Sequence, residues 1–123
     1  MYFINKEHEK FFRSKIRQAI IKDTYSKSLI YLLSSNQETR KNFEEIYDIN
    51  LNEINIETLK KPWQTTTSIN TCRFAFNLFG DITTDTLEEN TAQLYTVTAV
   101  LKNLDINCCI QAIKLRFLKN YEV

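Results

Sequence analysis

One glycine, Gly80, one proline, Pro62, and one histidine, His8, stand in a chain of 123 residues. Phosphate-cradling loops need several glycines, because the backbone must turn through positive φ and approach the phosphate closely. A chain with one glycine cannot build such a loop. A chain with a single imidazole cannot build a two-histidine metal site, nor a catalytic grouping that needs more than one. The composition points instead to a helical protein that works by binding.

With 43% hydrophobic and 12% aromatic residues in 14.6 kDa, the chain can bury a core as one domain spanning residues 1–123. No apolar run approaches the roughly 18 to 20 residues of a membrane span. The opening, Met1 to Lys10, is too polar for a signal peptide. The expectation is therefore a cytoplasmic protein with no membrane partner. Cys72, Cys108 and Cys109 are odd in number, include a vicinal pair and lack the C-x-x-C spacing of zinc sites. They read as reduced, buried thiols, with neither a metal nor a cofactor expected.

Net charge is +1, but its distribution is uneven: residues 1–42 carry nine Lys/Arg against four Asp/Glu, residues 43–105 four against ten, and residues 106–123 three against one. This balance disfavours both a strongly acidic nucleic-acid mimic and a wholesale nucleic-acid binder. Opposite faces pairing within the fold is the simpler reading.

Apolar periodicity predicts helices throughout. At 100° per residue, Phe12, Ile16, Ala19 and Ile20 share one side of a first helix from Asn5 to about Lys22. Tyr25, Leu29, Leu32 and Leu33 mark a short second helix. Asn36 is placed to cap a third, carrying Phe43, Ile46 and Tyr47. Residues 48–52 read as a loop, with one helical turn around Ile56 to Lys61. A helix opened by Thr67 or Ser68 then runs to Phe79, apolar on most sides and hence central, with Gly80 as its left-handed stop. Thr86 and Glu89 match a capping box for a long helix whose seam is Leu87, Leu94, Val97, Leu101 and Leu104. A last helix buries Ile110, Ile113, Phe117 and Tyr121. The predicted architecture is all-α, a single compact bundle of five to seven helices around a buried central helix.

Lys6, Lys10, Arg13 and Arg17 fall on one face of the first helix, where four aligned cations could follow phosphates or an acidic protein patch. The aromatic platforms of a single-strand binder are missing from that face, and a solvated face is the alternative. On the central helix, Asn70, Arg73 and Asn77 share a polar side. Arg73 must reach solvent or meet a carboxylate, for which Glu44 and Glu45 are candidates, because an unpaired buried guanidinium is very costly. That side is either a set of internal ties or a groove for a partner. Thr65 to Ser68 could offer hydroxyls and free amides to an anion, a weak signal without glycine. Trp63, after Pro62, is a binding anchor if exposed and a core plug if not. His8 lies near the apolar side of the first helix and is expected to pack against the central helix near Phe76 or Asn77. A Cys-His nucleophilic pair is the competing reading, opposed by the apolar setting of all three thiols.

Phe3, Glu7-His8 and Phe11-Phe12, together with the serine/threonine run leading into Ala75-Phe76-Asn77-Leu78-Phe79, resemble a family of small uncharacterised proteins of low-GC Gram-positive bacteria and their phages and mobile elements. Its marks are an E-H-x-x-x-F opening and an A-F-N-L central helix. The resemblance covers about the first two thirds of the chain, and it implies a mobile-element origin without implying any catalytic residue. Taken together, these readings predict a non-enzymatic protein-binding module, in its most concrete form an inhibitor or adaptor that blocks a host or defence protein sterically. Its contacts would be Trp63, Asn70, Arg73 and Asn77. A nucleic-acid accessory protein using Lys6, Lys10, Arg13 and Arg17 is the alternative.

Overall fold

The computed structural model describes residues 1–86 and 90–118. Within them the chain forms α1 (Lys6–Gln18), α2 (Thr24–Leu33), α3 (Gln37–Lys41), α4 (Phe43–Ile46), β1 (Tyr47–Asp48), β2 (Glu53–Ile54), α5 (Thr66–Gly80), α6 (Val97–Val100) and α7 (Ile106–Phe117). Single 3₁₀ segments at Ile56–Lys60 and Ala92–Tyr95 fill two connections. The architecture is the predicted all-α bundle, apart from the small antiparallel hairpin, whose register pairs Tyr47 with Ile54 and Asp48 with Glu53.

Polar side chains do locally what glycine and proline usually do. The Asn5, Asp23, Asn36, Thr65, Thr96 and Asp105 side chains each accept a hydrogen bond from a first-turn amide of the helix they precede, satisfying donors that helix geometry leaves free. Thr65 and Ser68 form a reciprocal capping box at the start of α5. That pairing, one residue earlier than expected, takes up the Thr65 and Ser68 hydroxyls, two of those considered for an anion. Left-handed backbone falls on Asn52 (φ 55°), Asp81 (φ 55°) and Asn103 (φ 66°), residue types that tolerate it best after glycine. The expected stop at Gly80 therefore moves by one position: Gly80 is the last helical residue, and Asp81 supplies the left-handed cap.

Two helices organise the core. α2 packs against α1, α5 and α7, while α5 also meets α3 and α6, so the centre is shared between α2 and α5. α2 buries every residue from Ser28 to Ser34, which demands partners for its polar groups. Ser28 Oγ donates to the Ala112 carbonyl at 2.8 Å, and Ser34 Oγ donates back to Ile30 at 2.6 Å. The first of these brings α7 close, and small residues on that side, Cys108 and Ala112, permit the approach. At the N-terminus Phe3, His8, Phe12 and Tyr31 interlock, with ring centroids 4.6–5.9 Å apart, each buried aromatic body contributing roughly 1.5–3 kcal/mol.

Three sequence expectations change here, the first being the first helix, which ends at Gln18 rather than near Lys22 and leaves Ile20 exposed. The single helix from Asn36 to Tyr47 is broken at Asn42, which separates α3 from α4, and Tyr47 enters the hairpin. Residues 90–104 do not form a long helix. The chain there is a 3₁₀ turn, an extended residue at Thr96 (ψ 155°), the four-residue α6 and a left-handed Asn103. Hydroxyl and amide side chains bond the backbone locally and stop propagation, as Thr96 does in capping Ala99. Val97 consequently faces solvent instead of a seam. Leu87, Glu89 and Tyr121 lie outside the described residues.

Candidate protein-binding face

The polar side of α5 is engaged inside the fold. Asn70 Nδ2 donates to the Lys102 carbonyl at 3.0 Å and Asn77 Nδ2 to the Ile82 carbonyl at 3.1 Å. Arg73 forms a bidentate pair with Asp85, Nε at 3.1 Å and Nη2 at 2.8 Å, and the Tyr95 hydroxyl donates to the same carboxylate at 2.7 Å. The carboxylate anticipated for Arg73 is thus Asp85 rather than Glu44 or Glu45. Burial pushes the Asp85 carboxyl up, but the hydrogen bonds from Arg73 and Tyr95 and the guanidinium charge outweigh it and hold the carboxyl below its ordinary value. The structure brings Asn70, Arg73 and Asn77 together as ties from α5 to Lys102, Asp85 and Ile82. Trp63 stands apart from them. It is half-buried against the core, with its indole N–H donating to Glu45 at 3.3 Å.

Lys6, Lys10, Arg13 and Arg17 are all exposed on α1, but the row is interrupted by acid. Arg13 Nε bonds Glu9 at 3.0 Å, and its guanidinium lies over Phe3. Pairing with the acidic middle segment falls instead to Lys15, which bonds Glu44 and lies over Phe11 and Phe43.

His8 is fully buried, but its partners lie on the N-terminal segment and α2 rather than the central helix. Nδ1 accepts from the Ile4 amide at 3.1 Å, so Nε2 carries the proton and donates to the Tyr31 carbonyl at 2.9 Å. Burial lowers its pKa to about 4, against a smaller opposing effect of the Tyr31 carbonyl. With both nitrogens engaged, the imidazole has no lone pair left to activate a thiol. The thiols are themselves poorly ionised: burial pushes Cys72 and Cys108 up to about 12 and Cys109 to about 11. A groove of about 590 Å³ lies between the Ile56–Lys60 turn and residues 81–86, lined by Ile56 and Ile82 together with threonine hydroxyls, carboxylates and Lys60. Among the described residues no group of three His, Cys, Asp or Glu side chains is placed to hold a metal ion, and no helix is long and apolar enough to cross a membrane.

The unpartnered surface lies on α7. Its buried residues are Cys108, Cys109, Gln111, Ala112 and Leu115, whereas Ile106, Ile110, Ile113 and Phe117 are exposed by 56, 44, 40 and 60%. The sequence reading assigned Ile110, Ile113 and Phe117 to the core, and the structure reverses that. Both stripes have helical spacing, so period alone does not choose between them. The choice comes from packing. Ala112 and Cys108 let α2 approach, and Gln111 Oε1 accepts the Tyr2 amide at 2.9 Å. Tyr2 Oη also donates to Asp105 at 2.8 Å, which ties residues 1–5 to the head of α7. At the other end the Arg116 guanidinium lies 3.6 Å from the Tyr25 ring centroid and 4.7 Å from that of Phe117, with Nε donating to the Leu78 carbonyl. Tyr25 and Leu118, both exposed, extend the stripe. The four α7 residues leave on the order of 400 Å² of apolar surface open, the size of the largest apolar patch on a typical monomer, which is often a functional one.

Among the described residues, the structure is an all-α bundle whose single histidine and three thiols are buried and whose α7 leaves an apolar face exposed. The chain belongs to DUF6075, a family of unknown function, whose profile matches residues 1–123. No curated protein and no solved structure matches it.

Proposed function

We propose that this protein is a non-enzymatic binding module that engages a partner protein through the outer face of α7. The observation that carries the reading is the exposed row Ile106, Ile110, Ile113 and Phe117 on a helix otherwise held rigidly by Ser28, Tyr2 and Arg116. Solvent-facing isoleucines at helical spacing cost solubility and add nothing to the core, and helix-in-groove recognition reads such anchors at i, i+4 and i+7. The groups suited to catalysis support the same conclusion, since His8 has both nitrogens bonded and the three thiols are buried and protonated. In its most specific form the module is a cytoplasmic inhibitor or adaptor that occludes a host or defence protein sterically. That form rests on the resemblance of the first two thirds of the chain to mobile-element proteins.

Photo-crosslinking tests this reading. A benzophenone side chain is placed in turn at Ile110, at Phe117, at Lys10 on the basic face of α1 and at Glu57 beside the groove. Protein adducts from the two α7 positions are expected. Adducts to nucleic acid from Lys10, with none from α7, would replace the reading with the nucleic-acid alternative.

A further inference from the structure

We infer that, until another partner displaces it, a second copy of this chain covers the α7 face, the two α7 helices packing antiparallel about a two-fold axis. The inference rests on the reading of α7 as a docking face and names its resting occupant. Three observations favour a second copy.

The first is spacing. Ile106, Ile110, Ile113 and Phe117 follow one another at four, three and four residues, the narrow seam of helix-to-helix packing rather than the broad stripe of a helix lying on a globular core. An antiparallel pair centred between Gln111 and Ala112 sets Ile106 opposite Phe117 of the second copy and Ile110 opposite Ile113. Each large side chain thereby meets another, and the surface is self-complementary, as a two-fold interface requires.

The second is charge. α7 begins at the exposed carboxylate of Asp105 and ends with Lys114 and Arg116 in its last turn. Antiparallel packing brings the basic end of each helix to the acidic end of the other and opposes their macrodipoles, whereas parallel packing would set Lys114 and Arg116 against their own copies.

The third is area. Two faces of this size, with Tyr25 and Leu118 at their margin, bury on the order of 1,000 Å² in total, at the lower edge of specific interfaces. An interface of this size, below the roughly 1,200–2,000 Å² of stable complexes, suits a weak dimer that exchanges readily, which lets another protein take the face.

Sedimentation equilibrium of the full chain, from about 1 µM to several hundred µM, should show the mass rising from 14.6 kDa toward twice that. Ile110→Glu and Ile113→Glu should abolish the rise while leaving the far-UV spectrum unchanged, and the thermal midpoint too when both proteins are compared at about 1 µM, where the wild type is itself monomeric. If either variant fails to fold, the Ile110→Ala/Ile113→Ala double variant serves, with at least a tenfold weaker association expected. Direction is read by mild oxidation: a mixture of the Ile106→Cys and Phe117→Cys variants should form the mixed disulfide dimer much faster than Ile106→Cys forms its own. A wild-type chain that stays monomeric at several hundred µM overturns the inference, and if α7 crosslinks to another protein persist, the docking reading stands without it. Self-association indifferent to the α7 substitutions, or faster crosslinking of Ile106→Cys with itself, also overturns it.

Discussion

Lowering the pH from 7 to 4.5 protonates an imidazole in the unfolded chain that the folded chain keeps neutral. His8 is fully buried, accepts the Ile4 amide at Nδ1 and donates from Nε2 to Tyr31. A second proton could be added only by breaking the Ile4 bond and burying a cation. Its pKa is accordingly about 4 in the fold, against about 6.5 in an unfolded chain. Between those values the unfolded state binds more protons, so stability rises with pH across the window and falls as pH drops through it. At about 1.36 kcal/mol per unit, the loss between pH 7 and 4.5 is about 2.5 kcal/mol, a large part of what a domain of this size possesses. Urea unfolding at half-unit intervals measures it, with His8→Gln as the control that should lose most of the slope. Because His8 is the sole histidine, its ring-proton resonance reports the titration without assignment ambiguity. A native-state midpoint near 6.5, or equal slopes in the variant and wild type, would refute the reasoning.

Asp85→Ala strands the Arg73 guanidinium and deprives Tyr95 of its acceptor, and should cost about 3 kcal/mol in chemical denaturation; a loss below about 1 kcal/mol would mean that the pair is solvated. Cys72, Cys108 and Cys109 should react with a thiol reagent at pH 8 far more slowly in the native protein than in guanidinium, where all three should label, and fast native labelling of any of them would contradict its burial. Were Lys6, Lys10, Arg13 and Arg17 to hold phosphates, the log–log salt dependence of binding would have a slope of roughly −3 to −4. With Glu9 drawn onto Arg13, weak binding without such a slope is expected in fluorescence anisotropy, and tight salt-sensitive binding would reverse the ranking of functions.

The elements that follow local rules were legible in the chain. α1 begins after Asn5, Asn36 caps α3, one helical turn precedes Pro62 and a break at Asp105 precedes α7, each being a matter of which side chain can satisfy the next few amides. Burial of the three cysteines and of His8 was legible for a similar reason, as composition and apolar context leave few other places for them. The partner of Arg73 was not, since Asp85 and Glu45 are equivalent as sequence and only the path of residues 81–85 after α5 brings the former to the guanidinium. Residues 90–104 kept a leucine repeat that local bonding by threonine and asparagine overrides. The candidate site itself turned on α7, where two apolar stripes share one helix. Periodicity makes Ile110 and Ala112 equally plausible core residues. What separates them is that Ser28 must donate to a carbonyl and Tyr2 to a glutamine while α2 passes close by. Those demands can be met together only when the smaller stripe turns inward and the isoleucines are left facing water.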